Sequence, residues 1–213
     1  QGVPGWGGLC PPLAAPGAGV ILGPAGRLDP AGCAGPPCLS GLPLIGLDTT
    51  LGAGWLQWLG AVPLDSLIAH ADQRLSGRIV SAGPTLRANG SCDLTAPGNL
   101  GDPAGPAQAC GSYLPISFAA AGTELHDGVG QGLLIGQGSL LLSGTFQFTG
   151  EVVVLGSLTL RDQVRVVGSV AVTDSVTLTG SSQVQRSTCA VRRAGRGVAR
   201  PFFPMRRKWF RTP

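Results

Sequence analysis

The chain has 213 residues, 43% of them hydrophobic and only 12% charged, enough apolar material for one sizeable core or two small ones. Glycine (35) and proline (18) together form about a quarter of it, which disfavours a helical protein, while the abundance of Val, Leu and Ile disfavours wholesale disorder. The net charge of +4 is local: eight basic residues and no acidic one fall in 190–213, against seven basic and eleven acidic elsewhere, so the overall sign is no ground for nucleic-acid binding.

Residues 1–62 are rich in Gly, Pro and Ala and hold Cys10, Cys33 and Cys38. They are expected to form loops and short strands, stapled by disulfides and packed on the flank of the main domain; the alternative is a flexible linker. The chain starts at Gln1 rather than Met and has no apolar run of 18 residues. We read it as a mature or truncated product of an exported precursor, with nothing expected to span a membrane as a helix.

In PLDSLIAHADQRL (63–75), Leu64, Leu67, Ile68, Ala71 and Leu75 recur at helical spacing behind Pro63 and Asp65, predicting the one helix of the chain. It should cover an open face or end of the domain that follows. Residues 88–111 read as a long polar loop, so 63–111 is taken as a helix and a disulfide loop. The sequon Asn89-Gly90-Ser91 within it matters only in a glycosylating host.

From Leu134 the chain repeats itself every 18 residues: LIGQGSLLLSGTFQFTGE, VVVLGSLTLRDQVRVVGS, VAVTDSVTLTGSSQVQRS. Aligned so, Leu134, Val152 and Val170 share a column, as do Ser139, Ser157 and Ser175. Further columns are Leu140, Leu158 and Val176; Leu142, Leu160 and Leu178; and Phe148, Val166 and Val184, with Gly150 and Gly168 at a shared corner. Each row holds short apolar or alternating segments separated by Gly, Ser, Asp or Thr, which permit turns. One row cannot bury its own apolar face, whereas stacked rows share a core and hydrogen-bond along the stack. The repeat predicts a mainly β fold, a short parallel β-helix over 112–189 with about 18 residues per coil and three to four coils. The columns of Leu, Val and Phe point inward and the Thr residues outward. A preceding degenerate coil is expected, with Ile116–Ala120 matching the Leu134 segment and Thr123–His126 matching the next after a one-residue slip. An antiparallel sandwich is the competing fold, but it does not demand a fixed register in several columns.

The remainder, 190–213, is a basic aromatic tail. Its RPFFPMRRKWFRTP interleaves Phe202, Phe203, Trp209 and Phe210 with five basic residues. Arg206, Arg207, Lys208, Trp209 and Phe210 are the candidates for docking on an anionic surface, with a fold-back cap on the solenoid as the alternative. Its prolines argue against a continuous amphipathic helix.

Six cysteines (Cys10, Cys33, Cys38, Cys92, Cys110 and Cys189) in loop-rich sequence suit disulfides and an oxidising compartment. Fifteen pairings are possible. Cys92–Cys110 is favoured because it closes a loop full of Gly, Pro and Asn. No Cys-x2-Cys knuckle occurs, so no structural metal and no cofactor is expected.

Catalytic constellations are sparse. There is no Gly-x-Ser-x-Gly elbow, P-loop or dinucleotide fingerprint. His70 reads as a partly exposed helix residue. Glu124, His126 and Asp127 form the one acid–imidazole cluster, at an expected turn of the degenerate coil. The acids of the repeats are Glu151, Asp162 and Asp174; the last two occupy corner columns otherwise filled by glycine, where Asp serves backbone geometry. The expectation is therefore no enzyme.

Several motifs resemble the C-terminal part of bacterial PilX-like pilus-assembly proteins and related exported proteins. They are GNLGDP (98–103), CGSYLPISF (110–118), GQGLLIGQGSLLLSGTFQFTGEVVV (130–154) and SSQVQRSTCAVRRA (181–194), with GWGGLCPP (5–12) and the 63–75 segment as further counterparts. A weaker likeness is to bactofilins, β-helical filament proteins that lack such cysteines and Gly/Pro-rich flanks. The PilX resemblance implies a pilus-associated or cell-surface role. Members usually begin with a hydrophobic pilin-like helix, which this sequence does not show. The expected function is thus a non-catalytic structural or adhesive part of a pilus or cell envelope, partnered by other envelope proteins or by itself. A self-polymerising extracellular filament subunit and a carbohydrate-active β-helix enzyme are the alternatives.

Overall fold

Parallel strands stacked coil on coil form the body of the protein. A computed structural model describes residues 20–22, 26–29, 39–40, 45–47, 62–105 and 107–202. In chain order the elements are β1 (Val20–Leu22), β2 (Arg27–Asp29), β3 (Leu39–Ser40), β4 (Ile45–Leu47), α1 (Leu64–Ala69), β5 (Gln73–Leu75) and β6 (Arg78–Ala82). They continue with β7 (Ile116–Ala119), β8 (Thr123–Gln137), β9 (Leu140–Ser143), β10 (Gln147–Leu155), β11 (Ser157–Leu160), β12 (Arg165–Val172), β13 (Ser175–Leu178), β14 (Gln183–Arg186) and α2 (Thr188–Phe202).

The register is the one the repeat predicts. Val152 pairs with Leu134 and with Val170, Leu158 with Leu140 and Val176, and Leu160 with Leu142 and Leu178. Phe148, Val166 and Val184 follow suit on a third face. Their side chains are all buried in one apolar cluster that fills the coil interior. The degenerate coil is present and Thr123 pairs with Leu140 as expected, but the one-residue slip already holds in the preceding segment, where Ser117 rather than Ile116 pairs with Leu134, a step of 17 residues. About four turns result, a parallel β-solenoid whose rungs lie about 4.8 Å apart.

β8, β10 and β12 each bend through a corner at Gly132, Gly150 and Gly168, which pair with one another. Gly168 has φ +147, and a Cβ there would collide with the Gly150 carbonyl oxygen. Only glycine turns this corner at rung spacing.

Past the corner, both surfaces of the strands are buried. Leu134, Val152, Val154 and Val170 face inward, while Leu133, Ile135, Val153 and Ala171 form a second cluster outside with Leu67 and Val198. Two-sided burial explains why this segment reads as an unbroken apolar run.

Four expectations need correction. The helix ends at Ala69, and Gln73–Leu75 is strand β5, whose Leu75 enters the solenoid core. Pairing of Gln73, Arg74 and Leu75 with β7 outweighs the helical periodicity. β5 and β6 therefore form a coil of the solenoid below β7 and the first part of β8, so the winding starts well before residue 112. The described strands of the N-terminal region do not lie on the flank. β1 pairs with β12, β2 with β13, β3 with β14 and β4 with β1, extending the stack over its last coil. Finally, a second helix occupies what was read as tail. Ser187 Oγ accepts from the Ala190 amide (3.3 Å) and caps α2, and Ala190, Ala194 and Val198 are buried along one side. Pro201 falls in its last turn, where a helix is about to stop in any case.

The predicted cover is present in α1, whose Leu67 is fully buried in the outer cluster beside Ile116. Cys92 and Cys110 form the favoured disulfide, with Cα atoms 4.9 Å apart. Cys189 is also disulfide-bonded; Cys10, Cys33 and Cys38 lie outside the described residues. Among the described residues no helix is long and apolar enough to cross a membrane.

Candidate functional site

The predicted acid–imidazole cluster lies on the second face of the solenoid, at the turn after it. There β6, β8, β9 and β11 stack, with Arg78 paired to Glu124 and His126 paired to Ser143. Alternation puts Leu125 and Leu142 in the core and turns Glu124, His126 and Ser143 away from it, Ser143 being covered by its neighbours. Arg161 follows β11 at the next level, its amide bonded to the Leu142 carbonyl.

Ser143 Oγ donates to Glu124 Oε1 (2.9 Å), and His126 Nδ1 sits 2.9 Å from the same Oγ. His126 Nε2 lies 3.4 Å from Asp127 Oδ2. Glu124 also faces Arg78 Nε at 3.5 Å and an Arg161 guanidinium nitrogen at 3.9 Å. The arrangement has the composition of a Ser–His–Asp group but the wrong proton direction. With the Ser143 hydroxyl given to Glu124, the imidazole Nδ1 must donate to Ser143 and cannot take its proton. Ser143 is moreover 0% exposed.

The neighbouring amides are spent as well. Thr145 N and Oγ1 donate to Asp127 Oδ1 at 2.7 and 3.0 Å, and Gly144 N donates to Asp162 Oδ2 at 3.0 Å. The Thr145 bonds hold the Asp127 carboxyl below the usual carboxylate range. Asp127 (φ +58), Gly144 (φ +67), Asp162 (φ +73) and Gly180 (φ +70) share one left-handed corner position. Both aspartates thus combine backbone geometry with a staple to the adjacent coil, as expected of Asp162. Asp174 is an exposed corner residue whose amide bonds Gly156. His70 caps α1, its Nδ1 2.8 Å from the Ser66 carbonyl.

Two further polar features are the burial of Glu151, named above only as one of the acids of the repeats, and the role of Gln131, which the sequence reading did not single out. Glu151 is 1% exposed, paired in register with Ser169, and burial pushes its carboxyl up to about 8. Gln131 donates its buried amide to the carbonyls of Cys110, Gly111 and Tyr113, fastening the disulfide loop to the third face. Among the described residues no group of His, Cys, Asp and Glu has the makings of a metal site. Arg206, Arg207, Lys208, Trp209 and Phe210 lie outside the described residues.

Set against family models, curated proteins and solved structures, the chain finds no match in any of the three. None of the three supports the PilX-like or bactofilin-like resemblance expected from the sequence.

Proposed function

We propose that this protein is an exported, non-catalytic structural or adhesive component of a pilus or cell envelope, presenting a stiff β-solenoid to other envelope proteins. The observation that carries this reading is the sealed polar cluster. Its one serine beside an imidazole is buried, and the amides that would stabilise an oxyanion are bonded to Asp127 and Asp162. What remains is a rigid, two-sided parallel stack with a disulfide, compatible with an oxidising compartment. The PilX-like motifs supply the pilus or envelope assignment.

The test is fractionation of native cells with an antibody against the chain. Recovery in the sheared-surface or envelope fraction, with oxidised cysteines, supports the reading; a reduced cytosolic pool overturns it. Release of reducing ends from polysaccharides, lost in Asp127→Ala, would establish the carbohydrate-active alternative instead.

A filament subunit is the second reading, favoured by the β6 edge. Among the described residues β6 pairs only with β8. Its Val80 is 59% exposed beside a groove lined by Ile79, Pro84, Pro97 and Val129, the kind of edge onto which another copy can stack. Negative-stain images of concentrated protein decide it: end-to-end rods support assembly, a uniform monomer rejects it.

A further inference from the structure

Strand β6 lies at the lower end of the solenoid, and among the described residues its lower edge is bare. The Gly77 carbonyl accepts the Glu124 amide at 2.9 Å, and Arg78 stands opposite Glu124. In a parallel ladder successive residues turn their peptide groups to opposite sides. Ile79 therefore bonds β8, while the N–H and C=O groups of Arg78 and Val80 point away from the stack. The straight edge stops on either side at a left-handed residue, Gly77 (φ +67) and Ser81 (φ +57). Past Ser81 the Ala82 carbonyl turns back toward Gly128. The free peptide groups are thus those of Arg78 and Val80, placed symmetrically about Ile79.

We propose that this edge pairs with the same edge of a second copy, antiparallel about a two-fold axis through Ile79, to give a closed dimer. Arg78 then faces the partner's Val80, and both such pairs exchange their N–H and C=O groups as hydrogen-bonded antiparallel pairs do. Ile79 already packs against the core of its own chain. It meets the partner's Ile79 at the close spacing of a non-hydrogen-bonded pair, so the two interiors join. The arginine stem covers the exposed Val80, and no charge faces its like.

Charge selects this arrangement over a head-to-tail one. At the other end of the same sheet, β2 is the last described strand. Leu28 and Ile79 both pack against the interior, so stacking β2 on β6 with the cores in line sets Leu28 on Ile79. Arg27 then falls directly on Arg78, a repulsive cross-strand pair. A filament built head to tail needs that junction, whereas a two-fold pair consumes the β6 end and closes the assembly at two.

The experiment is sedimentation velocity of the full-length oxidised protein, from dilute solution to its solubility limit. A monomer–dimer equilibrium with nothing larger is expected. Val80→Lys sets a second cation against the partner's Arg78 in both pairs and should weaken the dimer about tenfold. Its melting curve at concentrations where both proteins are monomeric should match that of the parent. Val80→Glu places a carboxylate at the same point and should leave the dimer as tight or tighter. Equal weakening by both variants, or a dimer indifferent to both, overturns the pairing about Ile79. So does a monomer at every concentration. Head-to-tail rods in negative stain would overturn the dimer while upholding the filament reading.

Discussion

Ser169 places its hydroxyl 3.3 Å from the carboxylate of Glu151 across adjacent coils, in the same register column. Arg186 contributes attraction, but burial dominates and raises the Glu151 pKa from 4.5 to about 8. The native state holds this proton at pH 7, whereas the unfolded chain has released it. Stability should therefore fall as pH rises from about 4.5 to about 8 and level off above that, a loss of at most about 5 kcal/mol. Glu151→Gln keeps the shape and removes the titration. Its melting temperature should exceed that of the parent at pH 9 and show no such slope; parallel pH profiles of the two proteins would refute the assignment.

The corner glycines offer a paired comparison. Gly168→Ala forces a Cβ onto the Gly150 carbonyl in a backbone conformation that L residues avoid, and a loss of about 3 kcal/mol or more is expected. Gly122→Ala also sits at positive φ (+77) but meets nothing within 4 Å, so about 1 kcal/mol is expected. Urea unfolding midpoints of the two variants separate steric from conformational cost.

The N-terminal strands should be testable as a lid on the last coil. Val20 is fully buried against the solenoid interior. Val20→Asp would bury an unpaired carboxylate and unseat β1 and β2, baring the edges of β12 and β13. Size-exclusion chromatography should show a shift from the parent species to aggregates. An unaltered elution profile would mean that these strands are dispensable.

The disulfide between Cys92 and Cys110 spans 18 positions, so Cys92→Ser with Cys110→Ser should cost about 3 kcal/mol. Hydrogen exchange should quicken first at the loop and at Gln131, whose side chain holds that loop, while β10 and β12 stay protected.

The coils were legible because their signal is redundant: five columns agree, and a parallel stack with a buried interior is the arrangement that satisfies all of them. Glu124, His126 and Asp127 were equally visible. Their partner Ser143 was not singled out, although the one-residue slip that aligns Thr123 with Leu140 also aligns His126 with Ser143. Short strands were expected in 1–62, but the place of β1 to β4 on the last coil was missed for a physical reason. They are two or three residues long and set among Gly and Pro; β1, β2 and β3 are stabilised by strands more than 140 positions away, and β4 by β1. Leu75 misled because positions 64, 67, 68, 71 and 75 fit a helix, and only the pairing with β7 shows otherwise. The arginines and Pro201 disguised α2, yet Ser187 followed by Ala190, Ala194 and Val198 carried both its cap and its buried side.

The order of strands in space has a consequence for biosynthesis. Val20 finds one neighbour at Ile45 and the other at Val170, so β1 cannot take its place on the solenoid until the chain has been made as far as β12. Growth of the stack from β5 upward can proceed coil by coil on local contacts, whereas the closing step must join β1 to a strand that follows it by about 150 positions. Until then the final coil is an open template, and the fate of each molecule is decided in that interval.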